Sequence, residues 1–425
     1  MSGQFREFLN GPIYWSAAGG AHPVVNSFLH RWGIHSYEAG WLKYPTTDEI
    51  VLPDGGRRQE FQDGAIYVSF QNAIGSAIRN GPLRDKYNSV GGMAPGGTLL
   101  GYPIQDQVGL PDGQGQMDRF ERGVVYWHPT HGAHPVTGRI LEIWSSAGYE
   151  GSEYGYPTTD PAPAPGEPGS EQQNFQFGSM HIKANHSFLG TLVPIADELS
   201  FASYDTGLHP PYGPVDLSEY GVEDDPTGGK TQQNTNGYVE VKAYFQLQGE
   251  PVSEALWDHF YENNGLDYAV SSSVIDGWST ETTTGYANDN PPASPPATTH
   301  AANREDAIAQ AIAAADAAGE PRKVIVGTPW VLTGGSLGDH VHALGKYSLA
   351  STTSVIAHPG SAGNHQVDLR QQIHVFDIYD FEHWTESTNV ARYGSEVGYR
   401  GMRLGIAKPF VTYGSGSDQS WSGVR

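Results

Sequence analysis

The sequence predicts a mainly β protein with some α (α+β): an N-terminal repeat array, propeller-like, followed by a β-barrel-like C-terminal domain with accessory helices. Three observations carry the repeat array and the β-rich class. A Tyr-Pro landmark recurs at Tyr44-Pro45, Tyr102-Pro103 and Tyr156-Pro157. A Phe-x-x-Gly landmark follows each copy, at Phe61, Phe120 and Phe175, and its Ile/Val-Tyr continuation alternates like a half-buried strand. Glycine (54), proline (29), tyrosine (23) and tryptophan (10) are abundant, which favours turn-rich β structure over a helical bundle.

Each repeat is expected to be a β-hairpin plus a short helix. Pro53-Asp54-Gly55 and Pro111-Asp112-Gly113 are turn chemistry. Ile140-Leu141-Glu142-Ile143-Trp144 supplies the apolar edge of a helix. His22-Pro23 and His134-Pro135 occupy equivalent positions and read as turn-fixing pairs rather than metal ligands. Gly11-Pro12-Ile13-Tyr14-Trp15 is an earlier partial copy, and Met180-His181-Ile182 marks a degenerate fourth copy suited to capping the array.

These landmarks, in this order, resemble the LGFP repeat of actinobacterial wall proteins, over about residues 1–190. The resemblance implies tethering to the mycolyl-arabinogalactan envelope. On that reading Trp15, Tyr67, Tyr126 and Trp127 are candidate sugar-stacking residues, against the plainer role of core aromatics.

Downstream, residues 191–236 are polar and rich in Gly, Pro and Thr, and read as a linker or collar. Tyr238 to Phe245 alternates and is expected as a strand. Ser253 to Tyr261 reads as a short helix, and Arg304 to Gly319, rich in alanine, as the strongest helix. Residues 279–299 are low in complexity and read as a loop, as does Gly334 to Gly338. Lys323 to Gly327, Tyr347 to Ala357 and Gln371 to Tyr379 are expected strands. In the last of these, Asp377 and Tyr379 share a face, and Asp380 joins them only if the strand ends or bulges at Tyr379.

The run Asp377-Ile378-Tyr379-Asp380-Phe381, with Leu344 to Leu349 before it and Arg403-Leu404-Gly405 and Tyr413-Gly414 after it, resembles the catalytic domain of colicin M. The likeness covers about residues 325–425 within a domain spanning 237–425. It implies a bacteriocin that hydrolyses lipid II between undecaprenyl and pyrophosphate, with an immunity protein as a further partner. It assigns catalysis to Asp377, Tyr379, Asp380 and Arg403, a Mg²⁺ ion to Asp377 and Asp380, and substrate binding to Arg400 and Lys408. The pattern departs from the family where His-Arg is expected. Glu386 and Ser387 stand at the family spacing, Met402 precedes Arg403, and His383 is the nearby histidine.

Composition narrows the alternatives. A length of 425 residues allows about three domains. With 24 Lys and Arg against 47 Asp and Glu the formal charge is −23, which disfavours nucleic acid and anionic membrane as partners. Cysteine is absent, so disulfides and thiolate chemistry are excluded. No apolar run is long enough to span a membrane, and the N-terminal residues show no apolar signal core. No Gly-x-Ser-x-Gly elbow, Walker loop or His-Glu-x-x-His helix is present. The leading expectation is a secreted, monomeric antibacterial enzyme docked on an actinobacterial envelope. The rivals are a non-enzymatic envelope adhesin, a wall glycosidase with paired carboxylates, and a phage-associated wall hydrolase.

Overall fold

A computed structural model of the chain describes residues 3–71, 73–94, 99–184, 187–193, 221–262, 265–278, 300–328, 330–333, 344, 347–361, 363–381 and 390–425. The chain forms two compact units, Met1–Ala184 and Asn185–Arg425.

The first unit is four copies of one motif. The first copy holds β1 (Gln4–Phe8), β2 (Gly11–Ser16), β3 (Gly20–Pro23) and α1 (Asn26–Ile34). The second holds β4 (Ile50–Val51), β5 (Arg57–Phe61), β6 (Gly64–Val68), β7 (Gly75–Arg79) and α2 (Pro82–Ser89). The third holds β8 (Val108–Gly109), β9 (Gln116–Phe120), β10 (Gly123–His128), β11 (Gly132–Thr137) and α3 (Gly138–Ala147). The fourth retains β12 (Ala162–Pro163), β13 (Glu171–Phe175) and β14 (Gly178–Ile182). Each sheet is an antiparallel meander rather than a lone hairpin. In copies one and three the extra strand is the Gly-Ala-His-Pro segment, expected to be a turn, and in copy two it is Gly75–Arg79. Pro23 and Pro135 lie on strands at the sheet edge, where a missing N–H breaks no ladder.

One junction recurs between copies. The helix aromatic of one copy (Trp32, Tyr87, Trp144) packs edge-on against that copy's own strand tyrosine (Tyr14, Tyr67, Tyr126), at centroid distances of 4.6, 5.7 and 4.7 Å. It also packs against the next copy's Phe61, Phe120 or Phe175, at 5.4, 4.7 and 5.5 Å. Its polar atom donates to a backbone carbonyl where the next copy begins: Lys43, Gly101 and Gly155. Tyr102 and Tyr156 then reach back, each donating its Oη at 2.6 Å to the Asp of the preceding Pro-Asp-Gly turn, Asp54 and Asp112. Glycine after the Phe is needed for close approach, since a Cβ on Gly123 would stand 2.8 Å from both Leu100 and the Val136 carbonyl. A propeller is not confirmed. The first copy's outward face stays bare among the described residues, so the array does not close on itself there.

The second unit holds β15 (Phe188–Leu192), α4 (Gly229–Gln248), α5 (Pro251–Glu262), β16 (Tyr268–Ala269), α6 (Ser272–Trp278) and α7 (His300–Ala318). It continues with β17 (Arg322–Gly327), β18 (Val331–Thr333), β19 (Tyr347–Ala357), β20 (Gln366–Tyr379), α8 (Val390–Arg403), β21 (Phe410–Ser415) and β22 (Gln419–Val424). Its strands run β15-β17-β19-β20-β21-β16, with β18 on β19 and β22 on β20. The sheet is open, and the expected β-barrel is not formed. The alanine face of α7 (Ala307, Ala311, Ala315) lies on Val324, Val355 and Leu369. The other core gathers α4 and α5 over Leu349, Val375, Tyr379 and Phe410.

The expected strand Tyr238 to Phe245 is part of helix α4. Its buried residues, Asn234, Gly237, Val241 and Phe245, recur every three or four positions. Tertiary packing selects the helix: at the crossing with α8, a Cβ on Gly237 would meet Val397 at 2.8 Å. Helix α4 also occupies the end of the expected linker 191–236, where Asn234 donates to the Val397 carbonyl. Residues 194–220, 279–299 and 334–343 lie outside the described residues, as do the loops expected there. No helix of the described residues is long and apolar enough to cross a membrane.

Removing one reach-back bond by Tyr102→Phe should lower the unfolding free energy by about 1 kcal/mol. In a double-mutant cycle with Asp54→Ala the effect should shrink toward zero, measured by urea denaturation.

Candidate functional site

The repeats place one face in two environments. Within each copy, the last residue of the strand before the tight turn and two residues after it point the same way. In copies two to four these are Phe61, Ile66 and Val68; Phe120, Val125 and Trp127; Phe175, Met180 and Ile182. They insert against the preceding copy, and Phe61, Phe120 and Phe175 are 3–4 % exposed. Ile66, Val125 and Met180 are fully buried. The first copy has the same three positions, filled by Phe8, Ile13 and Trp15, and these are 54, 36 and 42 % exposed. Phe5 stacks on Tyr14 at 5.1 Å beside them. Contiguous exposed aromatics of this kind mark a contact surface rather than scattered surface apolar residues.

Of the expected sugar-stacking residues, only Trp15 offers an open ring. Tyr67 and Tyr126 are buried, at 1 and 3 % exposure, and serve the repeat cores. Trp127 is half-buried against the cluster around Tyr67 and Leu100. Phe8 and Ile13 were missed in the sequence. Setting the copies in register from the Phe-x-x-Gly landmark would have found them.

In the second unit, β20 ends at Tyr379, so Asp380 leaves the strand alternation and comes close to Asp377. Asp377 lies opposite Thr412 on β21 and Tyr379 opposite Phe410. Both carboxylates are half-buried. Dense packing around Asp377, reinforced by the Asp380 charge, pushes its carboxyl well above the usual aspartate range. Two near carboxylates at a strand end, one inclined to keep its proton, are suited to acid–base work.

Tyr379 does not fit its expected role. Its ring packs with Phe260, Phe381 and Phe410 at 5.5, 5.3 and 5.0 Å. It is 4 % exposed and its Oη has no hydrogen-bond partner. A phenol sealed in apolar packing cannot position a leaving group. Met402 is likewise a core residue, 8 % exposed.

Arg400 and Arg403 gather elsewhere, around Glu223. Its carboxylate lies 2.9 Å from Lys230, 3.7 Å from Arg400 and 4.0 Å from Arg403. Lys230 holds the Glu223 carboxyl below its usual range. Arg403 also lies over the Tyr399 ring. Lys408 is half-buried, and its backbone N–H donates to the Phe260 carbonyl. His383, Glu386 and Ser387 lie outside the described residues. Among the described residues no group of three or more His, Asp or Glu side chains is arranged to hold a metal ion. Mg²⁺ needs only one or two carboxylates when substrate phosphates and water complete its shell, so Asp377 and Asp380 remain adequate as ligands.

The LGFP repeat family model matches residues 1–40, 42–94 and 100–152, so the N-terminal region carries three LGFP repeats. The chain matches no curated protein. Nothing in these matches supports a colicin M-like domain.

Because the Tyr379 hydroxyl is buried without a partner, Tyr379→Phe should leave the unfolding midpoint unchanged or raise it, as read by thermal denaturation.

Proposed function

We propose that this is a cell-envelope-associated protein whose repeat array docks on envelope polysaccharide through the open face of its first copy. The LGFP repeats point to the cell envelope. The observation that carries the docking site is the exposure of Phe8, Ile13 and Trp15 at positions that the later copies bury, Trp127 by half and the others fully. Aromatic faces bind the apolar faces of sugar rings without needing charge, which suits a chain of net charge −23. Mycolyl-arabinogalactan is the proposed polymer, and the proposed location is extracellular, at the envelope.

Trp15→Ala should weaken sedimentation with purified arabinogalactan about tenfold, with the unfolding midpoint unchanged because the ring is outside the core. Tyr67→Ala should instead lower the midpoint sharply. Retention of full binding by a folded Trp15→Ala, Phe8→Ala double variant would refute the site.

A second reading, hydrolysis of lipid II by the second unit, is favoured by one observation: the Asp377–Asp380 pair at the end of β20. In it, one carboxylate orients water and the other keeps a proton for the leaving group. Mg²⁺ held by the ionised carboxylate alone would neutralise diphosphate charge. The same reading makes the protein a secreted bacteriocin with an immunity partner. Undecaprenol release from lipid II with Mg²⁺ should be lost in Asp380→Ala and on chelation. No release by the intact chain would leave the second unit as a non-catalytic part of an envelope adhesin.

A further inference from the structure

The junctions of the array share a second lock, and one junction has it altered. In the second copy, Gln59 on β5 donates its amide to the Pro23 carbonyl at 2.8 Å and the Thr47 carbonyl at 2.9 Å. In the fourth, Gln173 on β13 donates to the Pro135 and Thr159 carbonyls, both at 2.8 Å. Each glutamine thus ties the preceding copy's edge strand to its own Thr-Asp loop. Both are 1 % exposed.

In the third copy the same position, two before the strand-ending phenylalanine, is Asp118. It is fully buried, and among the described residues neither carboxyl oxygen has a well-formed hydrogen-bond partner, the Arg119 backbone N–H being the nearby donor. The strand register shows what it replaces. Tyr67 pairs with Ser76 as Tyr14 pairs with His22 and Tyr126 with His134. Ala77 therefore occupies the place of Pro23 and Pro135, and Gln105 that of Thr47 and Thr159. By this register a carboxyl group stands where the other two junctions have an amide donating to two carbonyls.

The surrounding charges do not rescue an anion there. Asp106, in the loop before β8, is the carboxylate whose field reaches Asp118. Arg31 on α1 and His35 just beyond its end are both engaged by Asp106, at 3.0 and 2.8 Å, and Asp106 also accepts from the Ala77 N–H at 2.7 Å. On α2, the Tyr87 phenol feels the Asp118 carboxyl and donates to the Gly101 carbonyl. The Arg119 backbone N–H is the group that favours ionisation.

We propose that Asp118 is a proton-operated latch between the second and third repeats, closed when its carboxyl is neutral and loosened when it ionises. The neutral acid has one O–H to offer a carbonyl, recovering part of the glutamine lock. Ionisation sends that proton to water and leaves a buried, unpaired charge among acceptors, which the junction relieves by opening to solvent. Burial pushes the carboxyl well above the usual aspartate range, so the latch works above the pH at which an exposed aspartate has already ionised. The sign follows. The folded form holds its proton where the unfolded form has lost it, so stability falls as pH rises from the unfolded value through the folded one. The inference concerns the array whatever it binds, and its failure leaves the docking proposal standing.

The test uses the full chain and the variants Asp118→Gln and Asp118→Asn, followed by calorimetry from pH 4.5 to 8. Asp118→Gln should raise the midpoint of the repeat unit. The gain should grow with pH by about 2–4 °C per unit until the folded carboxyl has titrated. A wild-type-minus-variant infrared difference spectrum, in which the unchanged Asp377 carboxyl cancels, should show a protonated-carboxyl band that persists above the range where an exposed aspartate has ionised. A gain independent of pH, a lower midpoint for Asp118→Gln, or absence of that band would overturn the proposal. So would Ca²⁺ stabilising the wild type but not Asp118→Gln, which would mean that a cation, not a proton, closes the junction.

Discussion

The first unit depends on one packing event repeated three times: the helix aromatic of one copy caught between its own strand tyrosine and the phenylalanine of the next. Trp32, Tyr87 and Trp144 fill that place. No single copy can bury its helix aromatic alone, because half of the pocket arrives with the following copy. Burial of such rings contributes roughly 1.5–3 kcal/mol each, before the edge-on contacts are counted. The tyrosine–aspartate bonds add direction. They fix which turn each Tyr-Pro segment sits on, so the copies stack in one register.

This explains what could be read from the sequence. The Phe-x-x-Gly and Tyr-Pro landmarks were visible because both belong to the junction, and a junction must be the same in every copy. The third strand was not visible, since His-Pro chemistry suggests a turn. At a sheet edge the missing proline N–H costs no ladder bond. Histidine gains a partner there instead: His22 and His134 approach Asp48 and Asp160 at 2.8 and 2.7 Å. Those partners lie 26 residues away in each case, beyond the reach of local pattern.

In the second unit the errors have a different cause. The alternation from Tyr238 to Phe245 satisfies a strand, but Gly237 lets α8 approach and the helix wins through contacts with residues far along the chain. The shared face of Asp377 and Tyr379 was correctly inferred from the strand period, yet the period does not say which face is wet. That face belongs to the core roofed by α4 and α5, and Tyr379 is consumed by it. Asp380 leaves that alternation because the strand stops at Tyr379, while Asp377, on the core face, is only half-buried. The candidate chemistry therefore rests on two carboxylates rather than on the full motif.

The open face of the first copy is the point where folding and function separate. Repeat arrays ordinarily end in polar caps, because an uncovered junction face is a standing liability. The first copy keeps Phe8, Ile13 and Trp15 exposed, although its helix and the pocket around Trp32 are complete behind them. Stability does not require those side chains: the pocket they would fill lies in a copy that precedes them, and Trp32 already has its partners in Tyr14 and Phe61. A face that repetition shapes for burial, and that its own copy's core does not need, is by its chemistry a contact surface.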